Sequence, residues 1–201
     1  MNVEARTRDF FGFLGLARKL KIDAADLEQR YRALSRQFHP DYFYNAPAAE
    51  RRASLERSSY LNDAYRTLKN PVSRIEYLLS LERDVSAEAR TGAGTTPPPA
   101  LLEEVFALNE ELDVIREERE GGAPAPEWKA RLDRAREPIE RKRAEHEAAL
   151  DQLSAKWDAL VDDASAGEPE RRRVLAELQE RFLERNYITN LLAGIERELS
   201  Q

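Results

Sequence analysis

The first long helix constrains the fold most strongly, because the sequence specifies both of its ends. Asp23 is a favourable N-cap, and Asp26 follows three residues later, where an acidic side chain completes a capping arrangement. Pro40 ends the helix, since proline lacks an amide hydrogen and biases the preceding residue toward extended geometry. His39 and Asp41 are therefore predicted to lie in a loop beside the helix end, where a partner could reach them.

The two faces of this helix differ in chemistry. Its apolar positions recur at spacings of four, three and four residues, which places them on one face: Leu27, Tyr31, Leu34 and Phe38. Arg32 and Arg36 lie one turn apart on the roughly opposite face, and Arg30 flanks them. The helix is thus predicted to bury one side and to present a basic side to solvent.

Helical signals continue along the rest of the chain. Pro47 suits the first turn of a third helix, whose apolar positions are Leu55, Tyr60, Leu61, Ala64, Tyr65 and Leu68. Asn70 and Pro71 suit the cap and first residue of a fourth, strongly apolar helix. Three further helices are predicted at 98–119, 126–164 and 168–200. Their short connections favour antiparallel neighbours and so a three-helix bundle.

These signals predict an all-α protein of two domains. No run of alternating apolar and polar residues is long enough for a convincing strand. The predicted divisions are an N-terminal helical domain over residues 1–83, a linker rich in glycine, threonine and proline over 84–97, and the three-helix bundle over 98–201.

Composition argues against several classes of function. The chain has no cysteine, and its two histidines, His39 and His146, stand far apart, so no metal-ligand spacing is present. His146 lies among charged residues and is expected on a solvated helix face. The net charge of −6 argues against nucleic acid as the main partner. The chain has neither an apolar signal core nor a membrane-length apolar segment, which predicts a soluble cytoplasmic protein.

His39-Pro40-Asp41 has three interpretations at this stage. His39 and Asp41 suit a base with its orienting carboxylate, but no nucleophile or third member accompanies them, so an enzyme has almost no support. They could instead cap neighbouring backbone groups, or contact another protein. A helical protein that binds nucleic acid through Arg32, Arg36 and the arginine-rich stretch 131–143 is a further alternative, and it predicts steeply salt-dependent binding.

The whole arrangement resembles a J-domain, the module that stimulates ATP hydrolysis by DnaK-class chaperones. The tripeptide follows a helix with a basic face, precedes a second long helix and lies near the N-terminus. The resemblance implies that His39, Pro40 and Asp41 contact the chaperone. It also implies that Arg32 and Arg36, together with Arg30, dock on an acidic surface. Tyr42 departs from the pattern, because many J-domains carry a lysine there.

A second resemblance is more specific. Residues 60–71 read YLNDAYRTLKNP and residues 74–79 read RIEYLL, and both segments are similar to the HscB family of co-chaperones in iron–sulfur cluster assembly. That family joins an N-terminal J-domain helical hairpin to a C-terminal three-helix bundle. The resemblance implies a protein that stimulates an HscA-type chaperone and delivers an IscU-type scaffold to it. A J-domain co-chaperone for a different client is the alternative.

The first bundle helix carries two apolar stripes. A seam of core positions recurs at four, three, four and three residues: Leu101, Val105, Leu108, Leu112 and Ile115. Leu102 and Phe106 form a second stripe, bordered by Glu103 and Glu110. The second stripe is interpreted either as part of a broad buried face or as an exposed apolar patch with an acidic rim, which is common at protein interfaces.

The family resemblance favours the exposed patch. With the stretch NEELD at 109–113, it implies that Leu102, Phe106 and Glu110 contact the scaffold, joined by Phe182 on the last helix. Glu103 stands where an apolar residue is common and Ala107 where an acid is common. The resulting prediction is a monomeric adaptor that carries no catalytic group, cofactor or metal of its own.

Overall fold

The computed structural model describes residues 9–85, 99–122 and 124–199. Every regular element in these ranges is helical, which confirms the all-α prediction. The elements are α1 (Phe10–Phe13), α2 (Ala24–Phe38), a 3-10 turn (Pro40–Phe43), α3 (Ala48–Lys69), α4 (Pro71–Val85), α5 (Pro99–Glu120), α6 (Ala125–Asp162) and α7 (Glu168–Leu199). None of these helices is long and apolar enough to cross a membrane.

The helix ends lie where the sequence predicts them. The Asp23 carboxylate accepts from the amide of Ala25 at 2.7 Å and caps α2. The Asn70 side chain accepts from the amides of Val72 and Ser73 at 2.9 and 3.1 Å and caps α4. The termini of α5, α6 and α7 differ from the predicted bounds by at most two residues. Local capping chemistry therefore accounts for most of the segmentation.

The chain forms two compact units. The first comprises residues 1–89 and 154–175, and the second comprises residues 90–153 and 176–201. The sequence did not predict that residues 154–175 group with the N-terminal part. The boundaries 1–83, 84–97 and 98–201 stay a prediction, and residues 86–98 lie outside the described ranges.

Polar groups tie residues 154–175 to the segment between α1 and α2 in the first unit. The two oxygens of Asp158 accept from the amides of Leu20 and Lys21, at 2.6 and 2.8 Å. Trp157, which is buried, donates its indole N–H to the carbonyl of Arg18 at 2.7 Å. Burial raises the pKa of Asp158, although these amide hydrogen bonds oppose the shift.

Arg74 has a structural role in the first unit. Its buried guanidinium donates from Nε to the carbonyl of Leu68 at 2.7 Å and from a terminal nitrogen to the carbonyl of Leu20. Burial lowers the pKa of Arg74, and the negative charge of Asp158 partly offsets that effect. The arginine of the segment RIEYLL thus joins the end of α3 to the connection before α2.

The second unit has a core cluster on α5, α6 and α7. Its buried members are Leu112, Ile115, Trp128, Leu132 and Ile195. Burial of Leu112 and Ile115 confirms the predicted seam at these two positions. The side chains of Leu101, Val105 and Leu108 lie outside the described part of the structure.

The expectation for His146 was wrong. Its side chain is 7% exposed, and its Nδ1 lies 3.1 Å from the Oε2 of Glu184, which is also buried. His146 stands seven residues after Ile139 and four before Leu150, so it lies on the inward stripe of α6. The charged neighbours in sequence face other directions around the helix, and they obscured this periodicity.

Candidate functional site

The loop after α2 is anchored by a buried hydroxyl. Ser54 Oγ on α3 donates to the carbonyl oxygen of Phe38, the last residue of α2, at 2.8 Å. The final carbonyls of a helix lack partners within the helix, so Ser54 satisfies one of them and ties the two helices together. Sequence reasoning missed this residue. Its position in the sequence could have indicated burial, because Ser54 lies seven residues, or two helical turns, before the apolar Leu61 and so shares its face of α3.

Aromatic contacts hold α2 against its neighbours. The Tyr31 ring stacks on Tyr65 of α3 at a centroid distance of 4.2 Å, and its hydroxyl donates to Asn62 Oδ1 at 2.9 Å. The Phe38 ring lies 6.0 Å from the Phe13 ring of α1. These contacts fix the direction in which the chain leaves α2.

The tripeptide has two exposed side chains, His39 and Asp41, on either side of the half-buried Pro40. His39 has extended backbone geometry, and Pro40 begins the 3-10 turn. The His39 Nδ1 accepts a hydrogen bond from the amide of Asp41 at 3.3 Å, and its distance from Asp41 Oδ2 is 3.5 Å. An accepting Nδ1 places the proton of the neutral ring on Nε2. His39 therefore caps the turn locally, and both His39 and Asp41 are still exposed to a partner.

The basic face of α2 divides into exposed and engaged arginines. Arg32 and Arg36 are exposed, and Arg32 pairs with Glu28 one turn earlier at 2.5 Å. Such a solvent-exposed pair contributes little, about 0.3–0.5 kcal/mol, so a partner could replace it readily.

Arg30 is directed toward its own chain. Its Nε lies 2.9 Å from the Asp26 carboxylate, and a terminal nitrogen donates to the carbonyl of Gly15 at 2.7 Å. Gly15 has a φ of 67°, and a Cβ there would approach the Arg30 guanidinium to 3.0 Å. Arg30 thus stabilises the turn before α2, and its assignment as a chaperone contact stays a prediction.

The predicted scaffold-binding residues fall in different environments. Phe106 is 66% exposed, and Glu110 is also exposed on α5. The side chains of Leu102 and Glu103 lie outside the described part of the structure. Phe182 is 7% exposed and belongs to a buried stripe of α7 that repeats every four residues with Val174 and Leu178. The structure therefore exposes Phe106 and places Phe182 in the interior.

A buried charged cluster accompanies Phe182 on α7. Glu184 faces His146 and also pairs with Arg181 at 2.8 Å. Burial lowers the pKa of His146, and the positive charges of Arg181 and Lys142 act in the same direction. Glu184 and Glu145 oppose this shift. Within residues 9–85, 99–122 and 124–199, no group of three His, Asp or Glu side chains is arranged to hold a metal ion.

Comparison with known proteins gives consistent matches. Residues 9–77 match the DnaJ domain family. The co-chaperone protein HscB of Proteus mirabilis is 33% identical over 173 residues, which cover 86% of this chain and 92% of that protein.

Two solved structures resemble the fold over nearly the whole chain. Chaperone HscB from Vibrio cholerae superposes with a TM-score of 0.61 at 26% identity, covering 96% of this chain and 98% of that one. The crystal structure of human co-chaperone protein HscB gives a TM-score of 0.64 at 26% identity, covering 96% and 82%.

Proposed function

This chain belongs to the HscB family of co-chaperones, and we propose that it brings an IscU-type iron–sulfur scaffold to an HscA-type chaperone and accelerates ATP hydrolysis there. The DnaJ domain match and the family membership agree with a DnaK-class partner. The finer assignments, to HscA and IscU types, to a monomer and to the cytoplasm, are part of the proposal.

The exposed tripeptide at the end of a basic helix carries this proposal. Arg32 and Arg36 create a positive surface that attracts an acidic partner and orients the encounter. The tripeptide then makes the specific contact from a loop that the Ser54 hydrogen bond and the fixed φ of Pro40 restrain. A preorganised loop loses little conformational entropy on binding.

The mechanism is one of coupling between two proteins. We propose that ATP is hydrolysed by the chaperone's own residues, so that no catalytic group, metal or cofactor is required from this chain. His39 and Asp41 act through contact, since the Nδ1 of His39 is already engaged by the Asp41 amide. The Nε2–H of His39 and the Asp41 carboxylate remain as a donor and an acceptor toward the partner.

The proposed scaffold contact centres on Phe106. Its exposed ring and the neighbouring Glu110 have the chemistry of an apolar contact with an acidic border. Leu102 and Glu103 lie one to two turns before Phe106 and Glu110 on the same helix. We propose that they contact the scaffold as well. Phe182 supports the α7 core from the interior. A different client would leave the tripeptide essential and Phe106 dispensable.

An ATPase assay with an HscA-type chaperone, with and without the scaffold, tests the proposal. Wild-type protein is expected to stimulate hydrolysis, and the scaffold is expected to increase the stimulation. His39→Gln should abolish stimulation while the circular dichroism spectrum and scaffold binding stay unchanged. Arg141→Gln, an exposed arginine on α6, is the control and should behave as wild type. Normal stimulation by His39→Gln would refute the proposed contact.

A further inference from the structure

An unusual apolar surface adjoins the tripeptide. In the part of the chain that the structure describes, five large apolar side chains are exposed, and three of them lie here: Tyr42 at 73%, Tyr44 at 77% and Leu55 at 57%. Single exposed apolar residues are ordinary on protein surfaces, but clustered ones mark contact sites. Leu55, which the sequence assigns to the apolar positions of this helix, is thus exposed, unlike Leu61, Ala64 and Leu68.

The fold explains why Leu55 faces outward. Ser54, Leu61, Ala64 and Leu68 are buried and define the inward stripe of α3. Leu55 follows Ser54 by one residue, a rotation of about 100° around the helix. Since Ser54 already takes the inward position to bond Phe38, the leucine is left beside the loop.

Leu55 and Tyr44 both line a shallow groove. The groove is lined by Pro40, Asp41, Tyr44, Asn45, Arg51 and Leu55. The carbonyl of Tyr44 accepts from the Arg51 guanidinium at 3.5 Å, which holds the loop to α3. The lining thus combines apolar side chains with one cation, Arg51, and one carboxylate, Asp41.

We infer that this groove receives an apolar side chain of the DnaK-class chaperone, flanked by a carboxylate that pairs with Arg51. The inference rests on the proposed function, because it extends the tripeptide's contact surface. Pro40 and Asp41 belong both to the tripeptide and to the groove, so a partner that covers the tripeptide reaches the groove directly. The occupant is therefore part of the same chaperone.

Charge supports this occupant. Arg51 has the same sign as Arg32 and Arg36, so a partner surface that is acidic enough to meet α2 also suits the groove. Tyr42 adds an aromatic ring edge-on to His39, with centroids 6.1 Å apart, at the position where many J-domains carry lysine. At this corner of the site, apolar contact replaces a charge contact.

Titration of the chaperone with groove variants tests the inference. Leu55→Gln, Tyr44→Ala and the double variant are compared with Val114→Ala, which alters an exposed apolar residue of α5. The concentration for half-maximal ATPase stimulation should rise about tenfold in the double variant. The maximal stimulated rate should stay unchanged, because the tripeptide is intact.

Salt dependence distinguishes the apolar contact at the groove from the electrostatic contact at the basic face of α2. The loss caused by the groove variants should be the same at low and at high salt, whereas the loss caused by Arg36→Ala should shrink at high salt. Circular dichroism should show unchanged helicity in every variant, since the altered side chains are exposed.

Three outcomes would overturn the inference in distinguishable ways. If wild type stimulates and the groove variants match Val114→Ala, the groove is not a chaperone contact, while the proposed function stands. If wild type fails to stimulate any DnaK-class chaperone, the proposed function fails and this inference with it. If sedimentation shows a wild-type dimer that the variants dissociate, with unchanged chaperone titration, the occupant is a second copy of this chain.

Discussion

The two predicted contact surfaces of this protein differ in how their residues are distributed along the chain. The residues predicted to contact the chaperone lie within one helix and the turn that follows it, and His39, Asp41, Arg32 and Arg36 are all exposed. The residues predicted to contact the scaffold come from two helices distant in sequence, and of these Phe106 is exposed while Phe182 is buried. A contiguous site, such as α2 with its following turn, can be predicted from local sequence signals. A site assembled from distant helices depends on how each helix packs.

The largest expected effect is on stability and comes from the buried Phe182 of the second unit. Phe182→Ala should lower the free energy of unfolding by about 3–5 kcal/mol, because it removes a buried ring and leaves a cavity. Phe106→Ala is the matched control for stability. Its ring is already exposed, so its unfolding free energy should change by less than about 0.5 kcal/mol. Urea denaturation followed by circular dichroism measures both values.

Scaffold affinity tests whether the exposed Phe106 has the binding role that the buried Phe182 lacks. Phe106→Ala should weaken scaffold binding about tenfold, as expected for an exposed aromatic that becomes buried in an interface. Equal stability loss in both variants would show that Phe106 is a core residue. Unchanged scaffold affinity of a folded Phe106→Ala protein would favour a different client.

A smaller effect is expected at Ser54, which orders the contiguous site from a distance. Ser54→Ala removes the hydrogen bond to the partly buried Phe38 carbonyl and should cost about 1 kcal/mol of stability, the typical net contribution of such a bond. A higher concentration of the variant should also be needed for half-maximal stimulation of the chaperone ATPase. Ser54→Thr retains a hydroxyl and is expected to restore part of the stimulation. Full activity in Ser54→Ala would show that the loop keeps its conformation without this anchor.

The smallest effect concerns pH and the buried His146. Its pKa is lowered in the folded protein from the ordinary value of 6.5, so the unfolded chain binds the proton more readily. Stability contributed by the neutral ring is present at higher pH and is lost as pH falls below 6.5. One proton limits this slope to about 1.4 kcal/mol per pH unit.

His146→Gln isolates that contribution. The variant should lose part of the pH dependence of unfolding between pH values of about 7 and 5, measured as the difference from wild type in parallel urea titrations. Val114→Ala, which alters an exposed side chain of α5 that does not titrate, serves as the control and should keep the wild-type pH profile. Identical pH profiles for wild type and His146→Gln would remove the proposed role of burial at this residue.

Local signals predicted the fold and much of the contiguous site. Asp23 and Asn70 specify helix ends through hydrogen bonds that span only two or three residues, and Pro71 has a fixed φ that suits the first helical position, so neighbouring sequence is sufficient. The same reasoning placed His39 and Asp41 in a turn. It failed at His146, where the charged neighbours in sequence suggested the wrong face of a helix.

The sequence by itself determined the all-α class, the helix boundaries and the exposed tripeptide, because capping and periodicity act over one or two turns. Tertiary structure alone decided that Arg30 turns to the Gly15 carbonyl, that Ser54 holds the end of α2 and that Phe182 is buried. Each of these outcomes depends on which atoms of a distant segment lie opposite a side chain. A periodic pattern defines a face of a helix, but packing defines what that face meets.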